Sequence, residues 1–229
     1  MTIKTSHQIA KHWRFRFLSV GVALLAGSMA PRLLVAQSPA QTDNAVQIGD
    51  HWTIDTKDEI TNSPTDTVTY VVTDLSPTEI VARVTTRGKS GTGLVVFDRN
   101  WNRVENSNWK WKPNDGEGVR FPLGVGKDWR VELEARNTQS GDAHKITVLS
   151  KVAAEEPVTT AAGTFDAFRV ETKAREVGAK DPSKIWEHEN VTWYAPLINH
   201  WVRRTLILRA QKRITSNTSE EVVDFGRKL

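Results

Sequence analysis

The sequence contains no cysteine among its 229 residues. This absence excludes a disulfide framework, a thiolate metal site and a cysteine nucleophile. It also excludes a lipid-modified N-terminal cysteine, so we do not expect a lipoprotein. The core alone must stabilise the fold, and a chain of about this length buries roughly 70% of its unfolded surface.

The chain beyond residue 36 has no excess of positive charge. The formal net charge of +4 and the sequence pI of about 9.4 come from the first 36 residues, which carry five cations and no acid: Lys4, Lys11, Arg14, Arg16 and Arg32. The remainder holds 26 Lys and Arg against 27 Asp and Glu. The composition therefore gives no reason to expect nucleic-acid binding.

The N-terminus has the pattern of a secretory signal peptide. Its cations precede an apolar run over 17–30, which Pro31 and Arg32 end. That run is too short for a bilayer, which needs about 20 residues. We predict a signal peptide over 1–36, cut after Ala36 or alternatively Ala40, and a flexible segment over 37–45. The expected product is periplasmic or secreted with no transmembrane anchor; the alternative is an uncleaved N-terminal anchor.

Beyond the leader, no stretch keeps a helical period over three turns. Apolar and polar residues alternate instead, as at 68–73 and 80–84, and Asn, Gly, Asp and Pro separate the runs. Alternation of this kind predicts strands with one buried face. We therefore expect an all-β fold over 46–229, a single domain built on one antiparallel curved sheet, half-barrel or barrel with few or short helices. The continuous run Leu94 to Phe97 predicts a strand buried on both faces.

Catalytic and metal-binding signatures are also missing. There is no nucleophile elbow, phosphate-binding glycine loop or H-E-x-x-H motif. The histidines are scattered, and in Glu187-His188-Glu189 neighbouring side chains on a strand point to opposite faces. We expect no enzyme activity, no metal and no cofactor.

The segment 184–213 predicts a hairpin with an informative inner face. If the loop 195–199 joins two strands, Tyr194 lies opposite His200, and the more apolar face carries His188, Asn190 and Arg204. Buried polar groups cost about 1–3 kcal/mol each unless they are paired. Two interpretations follow: a self-satisfied structural network, or a ligand site with Tyr194 and His200 near its rim.

The other face of this hairpin predicts a solvated surface. It carries Glu187 and Glu189 beside Arg203 and Arg209, and its aromatic members are Trp193 and Trp201. Opposite charges on neighbouring strands form ion pairs of modest strength. We expect this face to point outward.

Three tryptophans lie in unusually polar surroundings. Trp101, Trp109 and Trp111 are flanked by Asn, Arg and Lys. Exposed indoles in such a setting suit stacking on sugar rings or a membrane interface. The competing interpretation is a β-ribbon whose tryptophan side packs on the sheet.

Two stretches resemble one known family. Residues 158–171 read V-T-T-A-A-G-T-F-D-A-F-R-V-E, and 192–196 read T-W-Y-A-P, followed by H-W-V-R at 200–203. Phe121-Pro122-Leu123, with Val125, Gly126 and Trp129, fits the same pattern. The match, over about 46–213, resembles exported bacterial β-rich proteins of unknown function, some labelled TapB. It implies a secreted sheet protein, with a distant analogy to the LolA/LolB half-barrel, and supplies no catalytic residues.

The motif has a local structural rationale. Gly163 at positive φ permits a tight turn, after which Phe165 and Phe168 hold the next strand against the core. Trp193 and Pro196 belong to the second stretch. We interpret all five residues as structural.

The leading functional hypothesis is an exported, non-enzymatic binding or scaffold protein that encloses a lipid or other apolar small molecule in a curved sheet. The alternative is a module that binds an envelope glycan or protein through exposed Trp101, Trp109 and Trp111.

Overall fold

The computed structural model describes residues 45–227. The predicted signal peptide and residues 37–44 of the predicted flexible segment lie outside the described residues. Within 45–227 there is no helix long and apolar enough to cross a bilayer.

Twelve strands and one short 3-10 turn make up this part of the chain. The strands are β1 Asp50–Asp58, β2 Ser63–Leu75, β3 Glu79–Thr86, β4 Gly93–Asp98, β5 Arg103–Asn106, β6 Trp109–Lys112, β7 Asp128–Asn137, β8 Ala143–Thr160, β9 Gly163–Gly178, β10 Ile185–Ala195, β11 His200–Ala210 and β12 Arg213–Arg227. The 3-10 turn, Pro196–Ile198, joins β10 to β11.

The strands form a closed antiparallel barrel. Each strand pairs with the next along the chain, and β1 closes the sheet on β12. Alternate side chains therefore point into the barrel, which is why the period-two pattern runs through most of the sequence. The all-β prediction is confirmed; of its alternatives, the barrel is present and the half-barrel is not, because the pairing of β1 with β12 leaves no open edge.

The wall of the barrel is uneven in height. Strands β8 and β9 have 18 and 16 residues, whereas β5 and β6 have 4 each. The hairpin of β5 and β6 turns at Ser107 and Asn108, both of them exposed. The interior is therefore screened least along this hairpin.

One end of the barrel, which we call the base, is filled by side chains. The strand connections at 99–102, 113–127, 161–162 and 196–199 meet there. The core includes Trp52, Trp101, Trp129, Phe165 and Tyr194. The opposite end, which we call the mouth, carries the connections at 107–108, 138–142, 179–184 and 211–212.

The connection 113–127 packs closely on the connection 99–102. The amide of Val119 donates to the carbonyl of Asn100 at 2.8 Å, and the amide of Gly118 donates to Oδ1 of Asn102 at 2.8 Å. A Cβ at Gly118 would lie 2.3 Å from the Asn100 carbonyl oxygen. Only glycine allows this approach.

The residues of the family resemblance meet at the base. Gly163 has φ +136° beside the 161–162 turn, Phe165 is buried and Phe168 packs on the same core. The rings of Phe121 and Tyr194 meet edge to face with centroids 5.4 Å apart. The resemblance therefore concerns how the base is built.

The hairpin of β10 and β11 departs from the predicted register. Tyr194 lies opposite Trp201 rather than His200, and the register shifts between Trp193 and Tyr194. This bulge leaves Val202 with no residue opposite it on β10. A bulge can turn two successive residues to the same side of the sheet. Trp201 and Val202 are both buried, so the prediction that Trp201 points outward was wrong.

Two smaller strand predictions also need correction. Leu94 is 59% exposed, because the outer face of a single-layer barrel is open to solvent; Leu94–Phe97 is not buried on both faces. The predicted run 200–213 contains a turn, since Gln211 and Lys212 both have positive φ and reverse the chain between β11 and β12.

Candidate functional site

A cavity of about 430 Å³ lies inside the barrel above the base. Its lining includes Ser107 and Asn108 of the short β5–β6 hairpin, so the cavity reaches the lowest part of the wall. The volume falls within the range typical of small-molecule sites, about 300–1,000 Å³.

Aromatic side chains form much of the cavity wall. Tyr70 packs against Phe97 with ring centroids 6.5 Å apart, and Phe97 meets Trp101 edge to face at 5.4 Å. Trp109 and Trp201 line the same space. These rings come from β2, β4, the 99–102 connection, β6 and β11, and together they provide flat apolar surface around one chamber.

An ionic cluster occupies one side of the chamber. The Nε of Arg103 donates to Oδ2 of Asp115 at 2.8 Å, and its Nη2 donates to Oε2 of Glu117 at 2.9 Å. Burial raises the pKa of the Asp115 carboxyl to about 6, although the charge of Arg103 opposes the rise. Burial would also raise the pKa of Glu117, but the charges of Arg103 and Arg204 outweigh it and lower that pKa.

Arg204 is the second cation on this wall. Its Nε donates to the hydroxyl of Thr192 at 3.2 Å, and that hydroxyl donates to Oδ1 of Asn190 at 3.3 Å. The guanidinium lies over the ring of Trp201, 4.7 Å from its centroid. Cation–π contact and hydrogen bond together fix the plane and one edge of the group.

A second compartment of about 240 Å³ adjoins the first. The two share Arg103, Trp109, Asp115 and Glu117 as lining. Trp109 and the ionic cluster therefore form the partition between them.

A histidine–glutamate–histidine group borders the second compartment. Oε2 of Glu176 lies 3.1 Å from Nε2 of His188, and Oε1 bonds to Nδ1 of His144. Burial would lower the pKa of His188, but the hydrogen bond with Glu176 and the charge of Glu117 raise it. No group of three acidic or histidine side chains within 45–227 is arranged to hold a metal ion.

The predicted inner residues of β10 and β11 separate into two groups. His188, Asn190 and Arg204 do project to the interior. Tyr194 and His200 do not lie at a rim: they are 2% and 3% exposed in the base core. The hydroxyl of Tyr194 bonds to Oδ1 of Asn199.

His200 forms part of the floor of the cavity. Its ring stacks on Trp52 with centroids 4.5 Å apart, and its Nδ1 donates to the carbonyl of Trp201 at 2.8 Å. Burial lowers the pKa of His200 to about 3. The imidazole is therefore neutral over most of the pH range.

The three tryptophans in polar surroundings are not an exposed strip. Trp101 is 6% exposed in the base core, and Trp109 and Trp111 are half-buried and line the interior compartments. For Trp109 and Trp111 the polar neighbours mislead because Lys110, between them on β6, points outward, whereas Trp101 lies in the 99–102 connection, where alternation does not apply.

Sequence reasoning missed most of the polar chamber. The missed residues are Tyr70, Arg103, Asp115, Glu117, His144, Glu176 and Glu220. Arg103 lies on a four-residue strand and its two acids lie in a connection without periodicity. No local sequence pattern predicts that these groups meet. The alternation on β2 and β9 does predict that the side chains of Tyr70 and Glu176 point into the barrel.

Comparisons with known proteins identify the fold. No protein-family model matches the chain, and no curated protein matches it in sequence. A solved structure from Bacteroides fragilis, described as an exported protein with a YmcC-like fold, is similar at 18% identity and a TM-score of 0.52, covering 79% of this chain and 97% of that one. A protein from Parabacteroides distasonis described as a lipoprotein is similar at 14% identity and a TM-score of 0.53, covering 79% and 96%.

These similarities identify the fold class of the chain. The chain has the YmcC-like β-barrel fold, and its aromatic chamber and closed base are built on that fold. At such identities the comparison extends to the fold alone, and the TapB family label has no support from it.

Proposed function

We propose that this protein is an exported, non-enzymatic binding protein that holds a small amphipathic ligand in its barrel. The observation that carries the proposal is the chamber of about 430 Å³, with aromatic walls and a filled base. Flat apolar surface around a preformed space is the common makeup of a ligand pocket.

The charged groups specify the polarity of the ligand more closely than the sequence pattern does. Arg103, Asp115, Glu117, Arg204 and Glu220 all line the chamber. Arg103, Asp115 and Glu117 pair with one another, but Arg204 and Glu220 form no ion pair within residues 45–227. A purely apolar ligand would cover these two unpaired charges, which costs several kcal/mol each. A ligand with an apolar body and a polar group avoids this cost, so a lipid-like amphiphile fits better than a hydrocarbon.

Export and the absence of catalysis are parts of the same proposal. The leader pattern over 1–36 supports export, and the two similar structures are described as an exported protein and a lipoprotein. The non-enzymatic part of the proposal follows from the kind of site the chamber offers, a preformed space with aromatic walls that suits binding.

A binding experiment with matched variants tests the proposal. Val84 lines the chamber, whereas Val81, on the same strand, lies on the other face. We expect Val84→Phe to weaken binding of the fluorescent amphiphile N-phenyl-1-naphthylamine at least tenfold, and Val81→Phe to leave it unchanged. Native mass spectrometry of protein from its host should detect a co-purified small molecule.

Two outcomes would contradict the proposal. One is a wild-type protein that binds neither the dye nor any co-purified molecule. The other is equal binding by both phenylalanine variants, which would put the dye on the outer surface. The alternative of a glycan or protein module loses its basis as an exposed strip, since Trp101 is buried and the half-buried Trp109 and Trp111 line the interior compartments.

A further inference from the structure

We propose that the chamber selects ligands with an anionic head, a carboxylate or a phosphate, and that Arg204 is the residue that binds it. This inference rests on the proposed binding function and specifies the chemistry of its ligand. It depends on how the guanidinium of Arg204 is held and on what it lacks.

The guanidinium of Arg204 is held at one face and at one edge. The face of the guanidinium lies on Trp201 at 4.7 Å, and its Nε edge is bonded to Thr192. Thr192 and Asn190 are 4% and 3% exposed, so the side chains that anchor this edge are themselves buried. A group held in this way loses little conformational entropy when it binds a ligand.

The edge of the guanidinium formed by Nη1 and Nη2 has no protein acceptor in the described part of the barrel. Within the residues that the structure describes, Arg204 makes no hydrogen bond other than that to Thr192, and no carboxylate of this part of the chain lies within 4.0 Å of it. Two parallel N–H groups on such an edge match a carboxylate or phosphate in a bidentate pair. The chamber wall therefore presents an unused anion-binding edge.

Arg103, the other cation on the wall, gives a contrast. Its guanidinium is neutralised by Asp115 at 2.8 Å and Glu117 at 2.9 Å. An anion gains little there because two carboxylates already occupy the positions. Arg204 is thus the cation of the chamber with capacity for a ligand.

Glu220 opposes the anion and provides a second test. It lies opposite Arg204 in the pairing of β11 with β12 and lines the same chamber, but the two side chains form no ion pair. Its negative charge lowers the affinity for an anion near Arg204. Removing that charge should therefore increase anion binding, the reverse of removing Arg204.

The experiment compares three probes of equal chain length: decanoate, decyl phosphate and neutral decanol. Their binding is measured by displacement of N-phenyl-1-naphthylamine from the wild-type protein and its variants. We expect Arg204→Gln to weaken decanoate and decyl phosphate roughly ten- to a hundredfold, to leave decanol within about twofold, and Glu220→Gln to strengthen both anions. The stronger of the two anions in the wild type identifies the head group as carboxylate or phosphate.

Arg203→Gln is the matched control, because Arg203 is the adjacent residue and is bonded to Glu221 on the outer face. It should leave all three probes unchanged. Arg204→Lys keeps the charge without the bidentate edge and should give an intermediate loss, and unchanged thermal unfolding of each variant confirms that it is folded.

The possible failures are distinguishable. If no probe displaces the dye from the wild type, the proposed function itself is wrong. If decanol binds as well as the anions and Arg204→Gln changes nothing, the chamber binds amphiphiles but the assignment of Arg204 is overturned. Loss of decanol together with the anions in Arg204→Gln would also overturn it, because the residue would then support the wall rather than select the head group.

Discussion

The base and the chamber are built from the same residue types for different purposes. In the base, aromatic rings pack on one another: Trp52 meets Trp101 edge to face at 5.2 Å and stacks on His200 at 4.5 Å. In the chamber, the rings of Tyr70, Trp109 and Trp201 border open space. Dense packing contributes stability, whereas unfilled space provides room for a ligand, so truncation should have different effects in the two regions.

The largest expected effect is the loss of a tryptophan from the base. Trp52→Ala should reduce the free energy of unfolding by about 3–5 kcal/mol, because it leaves a cavity in packed core. Trp109→Ala, at a half-buried chamber position, should cost only about 1–2 kcal/mol but weaken dye binding. Chemical denaturation and dye titration measure both; equal stability losses would abolish the distinction between the regions.

The next prediction concerns the close backbone contact at Gly118. Gly118→Ala should cost about 1–3 kcal/mol or more, because the new methyl group would lie 2.3 Å from the Asn100 carbonyl oxygen. Gly124→Ala, in the same connection, has nothing within 4 Å of the added atom and should change the melting temperature little. A Gly118 variant as stable as the wild type would mean that the base tolerates movement of this connection.

The base should also be acid-sensitive through His200. Its pKa is about 3 in the fold and about 6.5 in an unfolded chain, so the unfolded state takes up the proton first as pH falls. The wild type therefore loses stability progressively below pH 6.5, by a few kcal/mol near pH 3.

His200→Phe preserves the stacking on Trp52 without a titrating group, and its unfolding free energy should fall less steeply between pH 6.5 and 3. The variant His51→Phe, at a histidine paired with exposed Asp224, is the control. Parallel pH profiles for His200→Phe and the wild type would contradict the assignment.

The smallest effect is expected beside the second compartment. The raised pKa of His188 contributes stability that is present below about pH 6.5 and is lost as pH rises through the folded pKa. The lowered pKa of Glu176, in which its hydrogen bonds to His188 and His144 outweigh the effect of burial, contributes stability that is present above about pH 4.5.

Both contributions act between about pH 4.5 and 6.5, and Glu176→Gln should cost about 1 kcal/mol there and less at pH 8. Glu187→Gln, on the outer face of β10, should show no such pH dependence. A cost that is the same at pH 5.5 and pH 8 would mean that the pair contributes through shape alone.

The sequence was sufficient for the fold and for part of the wall. Alternation at 68–73 and 80–84 predicts strands directly, and the inward phase of His188, Asn190 and Arg204 is correct although the register was not. The bulge at Val202 could not be foreseen, because an unpaired residue leaves no mark in the alternation. For that reason the prediction that Trp201 points outward is wrong.

Long-range contacts account for the rest. Arg103 and Asp115 are 12 residues apart and their meeting depends on how the 113–127 connection folds back. Glu176 and His144 are 32 residues apart on neighbouring strands. Such pairs become visible only after the register of the whole barrel is known.

The filled base leaves the chamber open at one end of the barrel only. Because Trp52, Trp101 and Tyr194 close the floor, a ligand of the proposed kind would have to enter and leave by one route, past the short hairpin at Ser107 and Asn108. Larger side chains at Ser107 or Asn108 should therefore slow the exchange of that ligand, whereas larger side chains at the opposite, filled end should leave its route unchanged.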